Sequence, residues 1–541
     1  MKARYRAVRR ATAVLALVVA AGAPGCGDQG STREGLDDAL GYIPANSGGV
    51  LVVSTDLDNE RYDELNGDFG KRLLGDGKGL RDTIEDFVDE AGFDWDDDVE
   101  SLLGEYLVVG TDSFESLLLP EGTESSSLIA ALRVDDPGEL EDLLDDVPEV
   151  ERVDPAAGAA PGEPVPDADR VYSIGEDDGA LAIDGEVLVL AEDMGTLERA
   201  LNTRNGPDRL TVEKFEAAAG KLGPEDALVR GYAELKSSVL SDPRFQRFRK
   251  DKWVDAVRTG GLNADLDGDT LVVAAAVNTD PFGLTDADLP LVTGGRTPPL
   301  VERPGHLSGG SINQSQTTAW LLRLVRGAYP RSDFVRHVAD AERELKIDFE
   351  REFLRQFDGP SASIVTPDGR FAARSTVGDP GALRSIVDRL APRLPQLILD
   401  LQALDTEGLT ALFLVAPDAP VATRRFEKGG ISVTELPSGL YEVRGLRAPA
   451  PRVLVFGLVG EVFVVASDEA AARDIAEAQA KEPSGIDGVS VAKGDARALG
   501  RLLQALSIDG ATDAAGSLAV TRSRLTAKAR IELDELGAGR P

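Results

Sequence analysis

The sequence predicts an α+β protein made of two tandem, related lobes, each with an antiparallel or mixed sheet and helices on one face. Two observations lead to this fold class. Short apolar or alternating segments, typical of strands, are interspersed with amphipathic helical segments along most of the chain. Several sequence patterns of the first half also recur in the second half in the same order. With 42% hydrophobic and 28% charged residues, the composition is that of a folded globular protein.

Three pairs of similar segments mark the duplication. F-D-W-D-D-D-V-E at residues 93–100 is matched by I-D-F-E-R-E-F-L at residues 347–354. V-D-D-P-G-E-L at residues 134–140 is matched by V-G-D-P-G-A-L at residues 377–383. G-E-V-L-V-L-A-E-D at residues 185–193 is matched by G-E-V-F-V-V-A-S-D at residues 460–468. The predicted organisation is a signal peptide at 1–25, a tether at 26–39, lobes at 40–282 and 299–536, a Pro/Gly-rich linker at 283–298 and a tail at 537–541.

Within the first copy the elements follow a β-α-β-β-α-β order, which is the connectivity of partly ferredoxin-like units. Asp136 and its counterpart Asp379 precede a proline and an apolar helical stripe, so both are expected to be N-caps. Asp193 and Asp468 are expected to cap a second helix in each copy. The predicted elements are strands at 128–134, 171–174, 180–183 with 187–190, and 227–232, with helices from Pro137 and Met194, and a glycine turn is expected to begin the G-E-V segment at 185.

The N-terminus has the layout of a bacterial lipoprotein signal peptide. Five basic residues lie within residues 1–10, residues 11–21 are apolar, and small residues lead to Cys26, the single cysteine of the chain. The apolar run is too short to span a bilayer, which requires roughly 20 residues. The sequence therefore predicts a lipidated Cys26, a membrane partner reached through this anchor, and a location on the extracytoplasmic face of the cell membrane. The tether that follows is expected to be flexible.

Charge is distributed very unevenly along the chain. The net charge is −36, and residues 27–290 hold 62 acids against 22 bases, whereas residues 291–541 hold 32 acids and 31 bases. An acidic surface of this kind repels nucleic-acid phosphates, so nucleic acid is excluded as a partner. The acidity is consistent with simple solubility outside the cell, and a cationic partner or divalent ions remain an alternative.

The early Y-I-P-A-N-S-G-G-V, the D-P-G-x-L helix start and the G-E-V-x-V-x-x-x-D strand resemble the domain of unknown function 3352 family of bacterial envelope proteins. The resemblance covers most of the chain that follows the signal peptide, about 490 residues. It implies a secreted or anchored α+β protein, and it implies no catalytic residue.

Two acidic clusters are candidates for calcium, which takes oxygen ligands. The first contains Asp94, Asp96 and Asp98, and the second contains Asp265, Asp267 and Asp269. Turn and N-cap chemistry is the competing interpretation of both, and D-x-D-G-D at the second cluster is a good hairpin turn. The sequence has no other cofactor motif.

Histidine is scarce, since only His306 and His337 are present, and no metal-binding spacing, nucleophile elbow or phosphate-binding loop accompanies them. A basic and aromatic run at residues 244–253 is expected to bury its aromatic stripe and to pair its cations with neighbouring acids. Binding of an anionic surface by this run is the alternative.

Together these features predict a cell-envelope lipoprotein that is non-enzymatic and either structural or a binder of an envelope protein or ligand. Two alternatives stay open at this point. One is an extracytoplasmic hydrolase that uses carboxylates of the Asp94 cluster. The other is a calcium-dependent binding module.

Overall fold

A computed structural model describes most of the chain, which forms two compact units. Unit 1 consists of Met1–Pro243, Arg258–Asn278 and Glu535–Pro541, and unit 2 consists of Arg244–Val257 and Thr279–Asp534. The described residues are 29–54, 103–112, 127–145, 147, 150–153, 168, 170–175, 179–402, 424–428, 430–446, 453–499 and 511–533. Cys26, the Asp94 cluster and the predicted tail at 537–541 lie outside these ranges.

Unit 1 contains ten strands and five helices among its described residues. They are α1 (Gln29–Leu40), β1 (Gly49–Ser54), β2 (Leu103–Thr111), β3 (Leu128–Val134), α2 (Pro137–Asp145), β4 (Val150–Val153), β5 (Arg170–Ile174), β6 (Ala180–Asp184), β7 (Val187–Ala191), α3 (Met194–Arg204), α4 (Val212–Ala219), β8 (Val229–Glu234), α5 (Leu235–Ser238), β9 (Val257–Asp267) and β10 (Thr270–Thr279).

The strands of unit 1 follow the order β4-β5-β6-β7-β3-β2-β1-β8-β9-β10. The pairings from β4 through to β9 are antiparallel. The expected segments 180–183 and 187–190 form β6 and β7, and Gly185 adopts φ +62° in the turn between them. Four consecutive antiparallel strands, β4 to β7, thus lie between α2 and α3, where the expected β-α-β-β-α-β order has two.

Helices cover both faces of this sheet, which corrects the expectation of helices on one face. Leu132 of β3 packs with Leu140 and Leu144 of α2. The next residue towards the N-terminus, Ala131, belongs to the core on the other face. That second core is closed by α1, α3 and α4, which contribute Leu40, Leu197 and Phe215. Continuously apolar strands such as β3 and β7 require this arrangement, because they bury side chains on both faces.

Unit 2 contains eleven strands among its described residues. Its helices and strands are α6 (Pro243–Gln246), α7 (Lys252–Ala256), β11 (Leu307–Ser311), α8 (Gln314–Ala328), α9 (Asp333–Leu345), β12 (Ser361–Val365), β13 (Phe371–Thr376), α10 (Pro380–Leu390), α11 (Leu394–Gln402), β14 (Arg424–Lys428), β15 (Ile431–Glu435), β16 (Tyr441–Arg444), β17 (Val453–Val459), β18 (Val462–Ala466), α12 (Glu469–Glu477), β19 (Ser490–Asp495), β20 (Ala511–Val520) and β21 (Arg524–Leu533).

The strands of unit 2 follow the order β14-β15-β16-β17-β18-β13-β12-β11-β19-β20-β21, and every one of these pairings is antiparallel. Apart from the additional edge strand β14, this is the order found in unit 1. Helices again pack on both faces. Leu383 of α10 belongs to one core and Ile475 of α12 to the other.

The predicted tether at 26–39 is wrong over most of its length, because α1 begins at Gln29. Leu36, Ala39 and Leu40 recur at helical spacing and are buried in the core of unit 1. The carboxylate of Asp37 accepts a hydrogen bond of 2.9 Å from the backbone N–H of Val212. Apolar spacing therefore overrides the polar composition that suggested a flexible segment.

The predicted linker at 283–298 also differs from the structure, because these residues belong to unit 2. Leu284 and Leu289 are buried. The side-chain amide of Gln316 in α8 donates to the backbone oxygens of Asp286 and Leu291, each at 2.8 Å. The Pro and Gly residues of this segment therefore lie in turns that pack against unit 2, and the segment is not a flexible linker.

Residues 244–257, predicted to lie in the first lobe, pack within unit 2. Trp253 is buried and meets Trp320 of α8 edge to face, with ring centroids 5.9 Å apart. Phe248 makes a similar edge contact with Tyr329. Arg249 forms an ion pair with Asp255. Trp253 is thus buried, Phe248 is half-buried and Arg249 is paired with an acid, in the sense of the amphipathic interpretation of this run.

The helices and antiparallel sheets establish the α+β class. Within the described ranges, no helix is long and apolar enough to cross a membrane.

Candidate functional site

An open cavity of about 520 Å³ lies in unit 1, at the edge of the sheet where β2 ends and β3 begins. This volume falls within the range of small-molecule sites, roughly 300–1,000 Å³. Most of the side chains around it are polar. The lining residues are Pro44, Asn46, Ser47, Gly110, Thr111, Asp112, Ser127, Ile129, Arg199, Asn202, Thr203, Gly206, Pro207 and Asp208.

Helix α3 provides one wall because its sequence divides into two faces. Asp193 caps the helix by accepting a 2.7 Å hydrogen bond from the N–H of Thr196, as the sequence predicts. Leu197 and Leu201 are buried in the core. Arg199 and Asn202 lie on the opposite face, are exposed and line the cavity. The amphipathic spacing of α3 thus directs its polar residues to the site.

The segment at residues 44–47 forms a second wall and is fixed by backbone hydrogen bonds. Ala45 donates to the backbone oxygen of Asp208 at 2.7 Å, and Glu234 donates to that of Ser47 at 3.2 Å. The hydroxyl of Tyr232 donates to the backbone oxygen of Ala45 at 2.9 Å. Burial, followed by the charge of Glu234, raises the pKa of Tyr232 to about 12, so this donor keeps its proton at neutral pH.

A buried polar group immediately before this segment adds to its rigidity. Tyr42 is fully buried, and its hydroxyl donates to Oδ2 of Asp184 at 2.8 Å. The guanidinium of Arg204 donates to the same oxygen at 2.8 Å and lies 5.1 Å from the centre of the Tyr42 ring. Burial and the hydrogen bond with Asp184 raise the pKa of Tyr42. These contacts connect the segment to α3 and to the β6–β7 turn.

The acidic part of the cavity comprises Asp112 and Asp208. Oδ2 of Asp112 accepts a 2.9 Å hydrogen bond from the hydroxyl of Ser127. Nearby, burial and the charges of Asp193 and Asp112 raise the pKa of Glu192. The cavity therefore contains groups of both charges, with Arg199 as its cation.

A second cavity, of about 600 Å³, lies in unit 2 between α8, α9 and the turn that follows α9. Several of its charged groups have partners within the protein. Arg326 contacts Glu342 at 2.9 Å, both in the lining, and Glu350 of the lining contacts Arg323 of α8 at 2.8 Å. The same Glu342 accepts a hydrogen bond from the backbone N–H of Phe349 at 3.1 Å. A ligand would have to displace these internal partners, so the unit 1 cavity is the better binding site.

The structure does not assemble a metal site from the second calcium candidate. Asp265 and Asp267 lie near the end of β9 and Asp269 lies in the turn before β10, with Gly268 at φ +58° between them. This is the hairpin turn expected from the sequence. Among the described residues, no three His, Cys, Asp or Glu side chains are grouped so that they could hold a metal ion. Asp94, Asp96 and Asp98 lie outside the described residues.

Both histidines are described. Nδ1 of His337 lies 2.5 Å from Oδ2 of Asp400, a buried carboxylate of α11. Nδ1 of His306 lies 2.9 Å from the backbone oxygen of Pro304. Sequence reasoning missed the pairing of His337 with Asp400, because 63 residues separate them.

Sequence reasoning also missed the unit 1 cavity, whose residues come from four separate segments and form no motif. One signal for Arg199 was present in the similar segments of the two units. Arg199 follows the cap Asp193 by six residues, and Asp474 follows the cap Asp468 by six residues, so the two units carry opposite charges there.

Comparisons with known proteins give little. No protein-family model matches the chain. No curated protein matches it. Crystal form I of TP0453 is similar to it with a TM-score of 0.24 and 9% identity, covering 46% of this chain and 80% of that chain. Crystal form III has a TM-score of 0.25 with 10% identity, covering 46% and 82%. At these TM-scores the likeness supports no statement about function.

Proposed function

We propose that the chain is a lipid-anchored, extracytoplasmic binding protein of the cell envelope that takes a small polar ligand in the unit 1 cavity. The observation that carries this proposal is the cavity itself, which combines amides, hydroxyls and both signs of charge on a rigid sheet edge. Binding, rather than catalysis, is favoured because the described lining of the cavity contains no histidine or cysteine, and its hydroxyl–carboxylate pair, Ser127 with Asp112, is exposed.

The anchor rests on the signal-like residues 1–25 and on Cys26. Because α1 begins at Gln29, two residues separate Cys26 from the folded unit, and an extended chain of that length spans about 7 Å. Lipidation would therefore hold unit 1, which contains the cavity, close to the membrane surface.

The two units are, in this proposal, copies of one ancestral lobe. Residues 134 and 377 are 243 apart, and residues 189 and 464 are 275 apart. With these offsets the pair Ala130–Leu190 of β3 and β7 becomes Ala373–Val465 of β13 and β18, which is the observed register. The shared strand order and the matching caps support the same conclusion. A relationship to the domain of unknown function 3352 family is part of this proposal.

Substitution of Cys26 by Ser tests the anchor. The parent protein is expected in the membrane fraction of its host, and Cys26→Ser is expected in the soluble extracytoplasmic or secreted fraction, because no thiol remains for lipidation. Cys26→Ala serves as the matched control and should behave identically. Membrane retention of both variants would contradict the anchor.

A cavity-filling substitution tests the binding role. The small-molecule fraction of the host envelope should raise the melting temperature of the mature protein by about 5–10 °C, if ligand reaches about 100 times its Kd. Asn202→Trp places a bulky side chain at the exposed cavity wall and should abolish the rise. Glu198→Trp, on the same helix but outside the cavity lining, is the control that should retain it. An equal rise in Asn202→Trp, or none in the parent, would refute binding in this cavity.

A further inference from the structure

The Arg199 guanidinium of α3 lines the cavity and has no carboxylate partner among the residues that the structure describes. Among the described residues, its partner is the hydroxyl of Thr196, at 2.9 Å, and no described carboxylate lies within ion-pair distance of it. Arg204, one and a half turns further along the same helix, is paired with Asp184. Arg199 is therefore a cation that still has hydrogen-bonding capacity for an external anion.

The position in unit 2 that corresponds to Arg199 is Asp474, and its partner shows which kind of contact Arg199 lacks. Arg303, which precedes β11, donates to the carboxylate of Asp474 in α12. Both terminal guanidinium nitrogens of Arg303 take part, and Nη2 lies 2.9 Å from Oδ1 of Asp474. The hydrogen bond from Arg303 holds the pKa of Asp474 below its usual value. In unit 1 the helix carries the cation Arg199, and residues 43–48 before β1 carry no charged side chain. The carboxylate–guanidinium contact that unit 2 makes internally has no equivalent at this place among the described residues of unit 1.

Carboxylates lie elsewhere on the cavity wall. The Asp208 side chain forms no hydrogen bond or ion pair with the described residues, and Asp112 accepts one bond, from Ser127. A carboxylate with free lone pairs favours an ammonium group or another cationic donor. Counting only the described part of the chain, the cavity thus presents one guanidinium without a carboxylate partner and two incompletely paired carboxylates.

We propose that the unit 1 cavity binds a zwitterion of the amino-acid or short-peptide type. Its carboxylate lies on Arg199, and its ammonium group lies towards Asp112 and Asp208. This inference rests on the proposed function. A ligand with only a negative charge would be repelled by the 62 acids that residues 27–290 carry against 22 bases. A ligand with only a positive charge would leave Arg199 unpaired.

Calorimetric titration of the mature protein with three matched probes tests the proposal. The probes are the dipeptide Ala-Ala, its N-acetyl derivative, which keeps only the carboxylate, and its C-terminal amide, which keeps only the ammonium group. The zwitterion is expected to bind at least about tenfold more tightly than either derivative, because both of its charged contacts are made.

Two variants assign the ends of the ligand. Arg199→Met should weaken Ala-Ala binding by about tenfold to a hundredfold and leave the amide probe unaffected. Asp208→Asn should weaken the amide probe and leave the N-acetyl probe unaffected. Native secondary structure of both variants is checked by circular dichroism.

Three results would overturn the proposal: no heat with any probe, equal affinity for all three, or no change in Arg199→Met. If the probes are silent while the envelope small-molecule fraction still raises the melting temperature and Asn202→Trp abolishes that rise, the ligand class is wrong but the cavity function stands. If both experiments are silent, both proposals fail.

Discussion

Replacement of Arg204 by Met tests the buried group that fixes the cavity wall. Arg204 donates to Asp184 at 2.8 Å and stacks 5.1 Å from the centre of the Tyr42 ring. A hydrogen bond to a charged group contributes about 1.5–3 kcal/mol and a cation–π contact about 0.5–2 kcal/mol. The side chains of Arg204 and Asp184 are 30% and 20% exposed, which weakens their contact, and Tyr42 still donates to Asp184 in the variant. We therefore expect Arg204→Met to lower the free energy of unfolding of this region by about 2 kcal/mol.

Hydrogen exchange measured by mass spectrometry reports this loss of stability separately for each part of the chain. Since about 1.4 kcal/mol corresponds to tenfold, peptides from residues 40–48 and from α3 should exchange about 30-fold faster in Arg204→Met. The matched control is Arg199→Met on the same helix, where an exposed side chain should change exchange by about twofold or less. If the two variants behave alike, Arg204 does not stabilise this wall and the reasoning is wrong.

Three further outcomes are expected. The pKa of Tyr232 is about 12 in the folded protein, against 10.0 for an unperturbed tyrosine. As the pH rises, this proton therefore leaves the unfolded chain at a lower pH than it leaves the folded protein, which favours unfolding. Stability should fall by up to about 2–3 kcal/mol from pH 10 to 12, and by less in Tyr232→Phe, as measured by urea unfolding. Gly110→Ala would place its Cβ 2.7 Å from Cγ2 of Ile43, so it should destabilise unit 1 by about 1–3 kcal/mol in the same assay. Trp320→Phe removes the 3.2 Å bond to Asp251 and should lower the urea midpoint by an amount equivalent to about 1 kcal/mol, whereas an unchanged midpoint would contradict that role.

Local chemistry was predictable where one residue determines the backbone. Asp193 and Asp468 cap their helices as expected, each accepting from the N–H three residues later. Gly268 makes the hairpin turn expected from D-x-D-G-D. These features depend on neighbours in sequence, which a single chain displays directly.

Features that depend on packing partners were not predictable in this way. The segment at residues 26–39 reads as polar, yet Leu36 and Leu40 bury against unit 1 and make it helical. Trp253 lies in the first predicted lobe and packs on Trp320 of unit 2, because an aromatic residue is placed by the core that receives it.

The cavity illustrates the same limit for function. Arg199 and Asp208 are unremarkable in sequence, since nothing local distinguishes a cavity-lining charge from a solvated one. Comparison of the two units was the available signal. In that comparison Arg199 of unit 1 corresponds to Asp474 of unit 2. The sequence alone does not show that Arg303 binds Asp474, and this contact is what makes the difference in charge informative.

Native mass spectrometry of the mature protein, purified from its own cell envelope, measures directly whether the unit 1 cavity holds a ligand. We expect a small molecule retained at one copy per chain, released on gentle activation, and absent from Asn202→Trp while present in Glu198→Trp. A parent protein without added mass, or an Asn202→Trp variant with the same added mass as the parent, would refute binding in this cavity.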